Sequence, residues 1–237
     1  MTDKKYRAVV TGATRGIGYE IAQRLLKDGI EVIATGTKKN GNHPTGSSYY
    51  QVDFFKEESV NEFIKYIKKQ KINILVNNTG INKIGNFTSI AIEDFDSILR
   101  VNLRVPFQIC QAAIPFMEKN KWGRIVNITS IFGKISKEYR ASYSASKFGL
   151  DGLTSALAAE VAQKGILANS VGPGFIDTDL TREVLGERGM IELKNRIPIQ
   201  RLGQPSEIAS LVSWLVSDEN TYMSGQNLMI DGGFTRV

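Results

Sequence analysis

Short apolar runs alternate with segments of helical apolar spacing along the whole chain, and this alternation restricts the fold more than any other feature. Seven runs are typical of strands, at residues 7–11, 31–35, 49–52, 72–77, 124–128, 167–171 and 227–230. Helical spacing fills the intervals at residues 17–26, 57–69, 92–117, 141–163 and 205–216, and we expect kinks at Pro106 and Pro115. Strands separated by helices pair in parallel. The pattern predicts an α/β fold, a doubly wound parallel seven-stranded sheet with helices on both faces.

No linker, repeat or low-complexity segment interrupts the alternation, so we expect a single domain over residues 1–237. The longest interval that we predict to be irregular is residues 172–199. It carries four apolar side chains that could cover a pocket, Leu180, Val184, Leu185 and Ile191. Long loops in compact domains commonly cover ligands, so we interpret residues 178–198 as a substrate lid.

Composition and charge exclude several classes of function. The chain has one cysteine and one histidine, which cannot build a disulfide framework, a Cys/His zinc site or a Cys-His nucleophile pair, so we expect no metal. It has no signal-peptide core and no apolar run near the roughly 18 to 20 residues of a membrane span, which predicts a cytoplasmic protein without membrane contact. The formal charge of +6 comes from lysines interleaved with acids, so we expect a solvated surface and no nucleic-acid partner.

A glycine-rich turn joins the first predicted strand to the first predicted helix, at residues 11–18. Glycine lets the backbone approach a pyrophosphate closely, and the helix N-terminus offers free N–H groups and the positive end of its dipole. The spacing Gly-x-x-x-Gly-x-Gly in this strand-turn-helix context predicts a dinucleotide site that includes Gly12, Thr14, Arg15, Gly16, Ile17 and Gly18.

The residues after the second predicted strand indicate which dinucleotide binds. In NAD sites an Asp or Glu about 20 residues beyond the glycines binds the ribose 2′-hydroxyl. This chain has Thr37 and Lys38 there and no carboxylate. Together with Arg15, these side chains could bind a 2′-phosphate through charge-assisted hydrogen bonds. We therefore predict NADPH/NADP+ as the cofactor, with NADH as the alternative.

A tyrosine and a lysine four residues apart, Tyr143 and Lys147, lie on one face of a predicted helix. A cation beside a phenol favours the phenolate, which could then exchange a proton with a carbonyl or alcohol oxygen near neutral pH. Ser130 ends a predicted strand at the carboxyl edge of the sheet, where ligands of doubly wound folds bind. This serine could donate a hydrogen bond to the same substrate oxygen.

Together these motifs resemble the short-chain dehydrogenase/reductase family over the whole chain. The matching positions, in order, are residues 11–18, Asn77-Asn78-Thr79-Gly80, Asn102, Ser130, Tyr143, Lys147, Pro173-Gly174 and Asp231-Gly232-Gly233. The resemblance implies a Rossmann domain that is both dinucleotide-binding and catalytic, and a homotetramer. It also implies a catalytic tetrad of Asn102, Ser130, Tyr143 and Lys147. The serine would orient the carbonyl, the tyrosine would act as the acid, the lysine would lower the tyrosine pKa and hold the ribose, and the asparagine would hold a relay water.

The same resemblance implies further cofactor contacts. They comprise Asp53 and Phe54 at the adenine, Asn78 and Gly80 at the adenosine ribose, Ile176 and Thr178 at the nicotinamide carboxamide, and also Tyr143, Lys147, Pro173 and Gly174. Thr79 departs from the family pattern, which more often has alanine, and we expect it to narrow the turn beside the cofactor.

Within the family the chain is most similar to the 3-oxoacyl-(acyl-carrier-protein) reductases of fatty acid biosynthesis, through residues 11–18, 173–179, 201–203 and 224–226. That similarity implies NADP(H)-dependent reduction of a ketone to a secondary alcohol. Lys121 and Lys164 occupy positions where those reductases carry basic residues that dock the acidic carrier protein, although either could be an ordinary surface charge.

Two other functions remain open. Residues 137–140, Lys-Glu-Tyr-Arg, precede Tyr143 where carrier-protein reductases more often have small residues and glutamine. Arg140, three residues before Tyr143, could bind a carboxylate or phosphate. It therefore favours the alternative of a sugar, a polyol or another small polar carbonyl metabolite, with Ser130 and Arg140 as substrate contacts. A cofactor-binding regulator without turnover would not need all four residues of the tetrad.

Overall fold

The computed structural model describes residues 6–236, except for seven side chains between residues 179 and 188, and has a seven-stranded sheet with the order β3-β2-β1-β4-β5-β6-β7. The strands are β1 Arg7–Val10, β2 Glu31–Gly36, β3 Ser48–Gln51, β4 Ile74–Asn77, β5 Gly123–Ile128, β6 Ile166–Pro173 and β7 Asn227–Ile230. Every neighbouring pair is parallel. The predicted doubly wound parallel sheet of seven strands is confirmed.

Helices cover both faces of the sheet. They are α1 Gly16–Lys27, α2 Glu57–Ile67, α3 Ile92–Leu99, α4 Val105–Asn120, α5 Ala141–Val161, α6 Asp179–Asn195 and α7 Pro205–Val216. Alternate side chains of each strand face opposite cores: Val9 packs with α2, α4 and α5, whereas Ala8 and Val10 pack with α1 and α7. Among the described residues, no helix is long and apolar enough to cross a membrane.

The long helix predicted over residues 92–117 is interrupted by a π turn. Helix α3 ends at Leu99, the π turn occupies Arg100–Arg104, and α4 continues to Asn120. Pro106 lies just after the π turn and has no N–H for the carbonyl of Asn102, which a regular α-helix would require. Pro115 lies inside α4. The π turn carries the buried side chain of Asn102, which the predicted tetrad includes.

The prediction of an irregular stretch over residues 172–199 was wrong, because β6 extends to Pro173 and α6 occupies most of the remainder. Gly186 kinks α6 with φ 61° and ψ 178°, a combination that glycine alone adopts readily. Leu193 and Ile197 anchor the following segment. The side chains of Leu180, Val184 and Leu185 lie outside the described residues. The proposed lid at 178–198 is therefore largely helical, and its glycine kink masks the helical pattern in the sequence.

Two glycines with left-handed backbones offer a matched test of this fold. Gly29 has φ +82° and nothing within 4 Å of the place a Cβ would take, whereas a Cβ on Gly165, at φ +78°, would overlap the backbone carbonyl of Lys121. We expect Gly29→Ala to lower the free energy of unfolding by about 1 kcal/mol. Gly165→Ala should lower it by about 3 kcal/mol, because overpacking adds to the backbone cost. Urea unfolding measures both, and equal losses would contradict the clash.

Candidate active site

A cleft of about 520 Å³ opens at the carboxyl ends of the central strands. Most of the predicted site residues line it, namely Gly12, Thr14, Arg15, Gly16, Ile17, Gly18, Thr37, Phe54, Asn78, Gly80, Ser130, Tyr143, Lys147, Pro173, Gly174, Ile176 and Thr178. The residues predicted for a dinucleotide and those predicted for proton transfer therefore share one cavity. Strand order reverses between β1 and β4, and ligands of doubly wound sheets bind beside such a reversal.

The glycine-rich turn is held in shape by residues that follow β4. The side-chain amide of Asn78 donates to the carbonyls of Thr11 (3.0 Å) and Gly12 (3.2 Å). In return, the Thr11 hydroxyl accepts the backbone N–H groups of Asn78 (2.9 Å) and Thr79 (3.0 Å). A Cβ on Gly18 would overlap both the Asn78 amide and the Gly12 carbonyl. Glycine is therefore required at residue 18 by this close approach.

The turn opens helix α1 toward the cleft with its first N–H groups available. Its N-cap residue, Arg15, is exposed and makes no side-chain cap, and the first turn of α1 carries no acid. Such a helix start suits an anion, because its N–H groups and dipole are both favourable to negative charge. Thr79 narrows the turn as expected, since its hydroxyl oxygen lies 2.9 Å from where a Cβ on Gly12 would stand. These features fit the pyrophosphate of a dinucleotide.

The end of the cleft beside β2 has no carboxylate among its described lining residues. Arg15 and Thr37 line the cleft here, but Lys38 does not. The Tyr49 hydroxyl donates a hydrogen bond to the Lys38 carbonyl at 2.6 Å, which holds the backbone of this loop in place. Arg15 is therefore the cation in the cleft wall that can meet a 2′-phosphate.

Asp53 also lies outside the cleft lining, although its neighbour Phe54 lines it. The Asp53 carboxylate accepts the backbone N–H of Phe55 at 3.0 Å and lies 3.9 Å from the Lys56 ammonium. The Asp53 carboxylate therefore interacts with neighbours in its own turn. Asp53 and Lys38 thus lie next to the lining residues Phe54 and Thr37 without lining the cleft themselves.

Ser130, Tyr143 and Lys147 meet where β5 ends and α5 begins. Ser130 follows β5, its hydroxyl accepts the Phe132 N–H at 3.2 Å, and it lowers the pKa of the nearby Tyr143 phenol. The Lys147 ammonium lies 5.6 Å from the centroid of the Tyr143 ring and donates to the Ile128 carbonyl at 2.8 Å. A Cβ on Gly80 would stand 3.3 Å from that ammonium, so a glycine leaves room beside it.

Asn102 lies behind the cleft wall rather than in it. Its side-chain oxygen accepts the Ile81 N–H at 2.8 Å, and its amide donates to the Ile81 carbonyl at 2.9 Å and to the Ser146 hydroxyl at 3.0 Å. Asn102 is fully buried, whereas Ile81 lines the cleft. The asparagine side chain therefore joins the wall of the cleft to helix α5.

Burial dominates the proton affinities of the site. It raises the pKa of Tyr143 above its usual value, while the hydrogen bond with Ser130 and the charge of Arg140 act in the opposite direction. Burial also lowers the pKa of Lys147 to about 8. The expected lowering of the tyrosine pKa by Lys147 is not among these influences. The cation that does act on the phenol in this geometry is Arg140.

Arg140 stands at the start of α5, with its guanidinium 5.3 Å from the centroid of the Phe132 ring. It is half-buried, and among the described residues no carboxylate forms an ion pair with it. Burial lowers the pKa of this guanidinium from its usual value, and the Tyr143 phenol acts in the opposite direction. Arg140 thus lies close to the phenol but outside the cleft lining.

Several lining residues were not among the predicted site residues, although Thr79 was expected to lie beside the cofactor. They are Thr35, Gly36, Val52, Phe55, Thr79, Ile81, Val101, Ile128, Thr129 and Thr181. Most of them are sequence neighbours of a predicted site residue at the end of a predicted strand. That position was the sequence feature from which they could have been predicted. Among the described side chains, no group of three His, Cys, Asp or Glu could hold a metal ion.

Sequence comparisons connect the chain with reductases. A family model described as enoyl-(acyl carrier protein) reductase matches residues 12–235. The chain is 38% identical over 238 residues to the 3-oxoacyl-[acyl-carrier-protein] reductase FabG of Aquifex aeolicus (strain VF5), which covers 95% of this chain and 96% of that relative.

Solved structures share the fold over nearly the full length. A candidate NAD(P)-dependent gluconate 5-dehydrogenase from Beutenbergia cavernae, with NADP bound at low occupancy, has a TM-score of 0.91 at 28% identity, covering 98% of this chain and 97% of that chain. A candidate 2-deoxy-D-gluconate 3-dehydrogenase from Agrobacterium tumefaciens, with NADP bound, has a TM-score of 0.88 at 30% identity and the same coverage of 98% and 97%.

The lowered pKa of Lys147 predicts how stability depends on pH. The lysine loses its proton near pH 8 in the folded protein and near 10.5 in the unfolded chain, so the unfolded chain binds more protons between these values. Stability therefore rises with pH across this window. Between pH 8 and 10 we expect wild type to gain about 2 kcal/mol relative to Lys147→Met, measured by urea unfolding. A constant difference between the two proteins would show that Lys147 keeps an ordinary pKa.

Proposed function

The chain belongs to the short-chain dehydrogenase/reductase family, and from this we propose that it uses NADPH to reduce 3-oxoacyl groups carried on acyl carrier protein. It is an NAD(P)-dependent oxidoreductase by its family. The observation that carries the reductase proposal is that Ser130, Tyr143 and Lys147 share one cleft with the glycine-rich turn. The carrier-protein relatives, at 36 to 38% identity over nearly the whole chain, favour an acyl thioester as the substrate.

Each side chain of the site has a separate role in the proposed ketone reduction. NADPH, when bound, supplies a hydride to the carbonyl carbon. Ser130 orients the carbonyl oxygen, and the Tyr143 hydroxyl donates its proton to that oxygen, so that a secondary alcohol forms. Burial raises the pKa of this phenol, which weakens it as an acid, and Ser130 and Arg140 counter that rise. Lys147 holds the nicotinamide ribose, and Asn102 supports the path by which the phenol regains its proton.

The cofactor would lie along the cleft with its pyrophosphate at the start of α1. The N–H groups of residues 11–13 are bonded to Val76 and Thr35, so the N–H groups at the start of α1, from Gly16 on, would meet the phosphate oxygens. Arg15, in the cleft wall, would bind the 2′-phosphate, with Thr37 beside it. At the other end, Ile176 and Thr178 would contact the carboxamide, and Thr178 also caps α6 by accepting the N–H of Thr181 at 3.3 Å.

Three aromatic rings beyond Tyr143 form a wall outside the cleft lining, and we propose this wall as the apolar side of an acyl-chain site. Phe132 makes an edge contact with the Tyr143 ring, with centroids 6.5 Å apart. Phe175 continues the wall at 6.3 Å from Phe132, and Phe234 lies 5.1 Å from Phe175. Helix α6 packs against this wall through Leu193. We interpret α6 as the lid over this apolar surface.

Carrier-protein docking at Lys121 and Lys164 would require a second copy of the chain. These lysines lie just before β5 and β6, which places them at the amino-terminal edge of the sheet, opposite the cleft. Lys164 also pairs with Glu118 at 2.6 Å, which neutralises part of its charge. A carrier protein bound at this edge would therefore serve the cleft of another copy rather than that of its own subunit.

A homotetramer, the usual assembly of the family, would meet that requirement. Helices α4 and α5 each expose an aromatic ring, at Phe107 and Phe148, which are 45% and 46% exposed in the single chain. Exposed aromatic side chains on long helices are typical of surfaces that associate. We propose that these two helices contribute to the contacts between subunits.

A second candidate function is the reduction or oxidation of a sugar acid. Two observations favour it. Arg140 lies beside Tyr143 without an ion pair to any described carboxylate, so it could bind the carboxylate of a substrate. The structural neighbours also have names that refer to gluconate. Wild-type turnover of a keto sugar acid, with no turnover of a 3-oxoacyl thioester, would favour this function.

Removing the phenolic hydroxyl tests the proposed reaction. We expect Tyr143→Phe to lower kcat by about 10² to 10⁴-fold, because a positioned general acid contributes that much. Cofactor affinity should stay unchanged, since the ring remains. NADPH absorbance with a 3-oxoacyl thioester measures turnover, and Tyr139→Phe, at an exposed tyrosine four residues earlier, is the matched control. A near-normal rate for Tyr143→Phe would exclude this residue as the acid.

The choice between the two dinucleotides is tested at Arg15. We expect Arg15→Ala to weaken NADPH binding at least tenfold and to leave NADH binding nearly unchanged, because one charge-assisted hydrogen bond to the 2′-phosphate is lost. Fluorescence titration gives both dissociation constants. Lys38→Ala should change the NADPH affinity much less, since Lys38 lies outside the cleft lining. Equal losses for NADPH and NADH in the Arg15 variant would contradict a 2′-phosphate contact.

A further inference from the structure

We propose that Ser146 is a positioning residue that couples the π turn carrying Asn102 to the helical turn carrying Tyr143 and Lys147. This inference rests on the proposed function, since it concerns proton delivery by Tyr143. Ser146 lies one residue before Lys147 and is fully buried. It does not line the cleft, so it acts through other residues rather than on a substrate.

The Ser146 hydroxyl is used once as an acceptor and once as a donor. It accepts a hydrogen bond from the Asn102 amide at 3.0 Å and donates its proton to the Tyr143 carbonyl at 2.7 Å. A hydroxyl has one proton to donate, and Ser146 gives it to the Tyr143 carbonyl. The two hydrogen bonds therefore run in one direction, from the Asn102 amide through Ser146 to Tyr143. The route continues beyond Asn102 to both backbone polar groups of Ile81.

This route connects three separate segments of the site. Ile81 follows β4 and lines the cleft, Asn102 belongs to the π turn, and Ser146 belongs to α5. Side-chain hydrogen bonds to a helix carbonyl compete with the backbone ladder and commonly bend the helix slightly. The bond from Ser146 to Tyr143 therefore acts on the backbone of the residue that would deliver the proton.

Replacing Ser146 with alanine would leave two buried groups without this partner. The Asn102 amide proton would lose its acceptor in a fully buried position, where an unsatisfied donor is costly. Asn102 would then be expected to shift, and the π turn with it. The predicted consequence is slower proton delivery with an intact cofactor cleft.

Ser144 provides a matched control on the same helix. It is also buried, and its hydroxyl bonds the Ser136 hydroxyl at 2.9 Å, away from Asn102. Ser144→Ala removes the same atom from the same helix and one hydrogen bond of similar length. A merely structural role for Ser146 predicts that the two alanine variants behave alike.

The experiment combines kinetics with a double-mutant cycle. We expect Ser146→Ala to lower kcat about tenfold, the effect of losing one buried hydrogen bond to the catalytic machinery, while Ser144→Ala stays within about twofold of wild type. The NADPH dissociation constant should be unchanged in both. In an Asn102→Ala background, Ser146→Ala should lower kcat no further, because coupled residues are not additive.

Three results would overturn the proposal: equal kcat values for Ser146→Ala and Ser144→Ala, an undiminished effect of Ser146→Ala in the Asn102→Ala background, or a loss of NADPH affinity that accounts for the whole effect. If Ser146→Ala does not fold, Ser146→Cys decides instead. Its thiol nearly preserves the volume but bonds weakly, so an intermediate kcat is expected and a wild-type kcat would contradict the proposal.

Amide hydrogen exchange separates failure of this proposal from failure of the proposed function. It is measured without substrate, so it remains informative if wild type reduces no thioester. We expect Ser146→Ala to speed exchange at the amides of residues 143–147 by about tenfold, and Ser144→Ala to leave them unchanged. Unchanged exchange in Ser146→Ala would overturn the coupling, whereas an inactive wild type with faster exchange in this variant would overturn only the reductase assignment.

Discussion

Parallel pairing of β1 with β4 is the constraint on which the rest of the site depends. The strand order reverses there, so crossovers leave in opposite directions and a crevice stays open at the carboxyl ends. Thr11 and Asn78 join the two strands just beyond their paired residues and hold the glycine-rich turn against β4. Because all strands are parallel, the ends of β2, β5 and β6 meet at the same edge. The residues proposed to bind the cofactor and those proposed to transfer a proton thereby share one cleft.

Burial then sets the chemistry of that cleft. The same low-dielectric surroundings raise the pKa of Tyr143 and lower that of Lys147, because both groups lose water on folding. Ser130 and Arg140 oppose the rise, by a hydrogen bond and by a charge. Arg140 therefore lowers the pKa of Tyr143 whether or not it also contacts substrate.

The interruption between α3 and α4 has a comparable structural role. The π turn places the Asn102 side chain between Ile81 and α5, where it hydrogen-bonds both. Pro106, just after the π turn, has no N–H to donate, which explains why the regular helical hydrogen bonds are interrupted at this place. The buried amide and hydroxyl are satisfied by each other, which is what a fully buried polar cluster needs to be stable.

The seven parallel strands, the glycine-rich turn and the Tyr143 and Lys147 pair were predictable from the amino-acid sequence, because apolar periodicity and four-residue spacing are local properties. It did not reveal α6, since the Gly186 kink breaks the helical pattern, nor the π turn, which depends on hydrogen-bond register. Three further features became visible in the folded chain: Lys38 and Asp53 do not line the cleft, Arg140 lowers the pKa of the Tyr143 phenol, and Ser146 bonds Asn102. These outcomes depend on burial and on contacts between residues distant in the chain, and neither is encoded in local spacing.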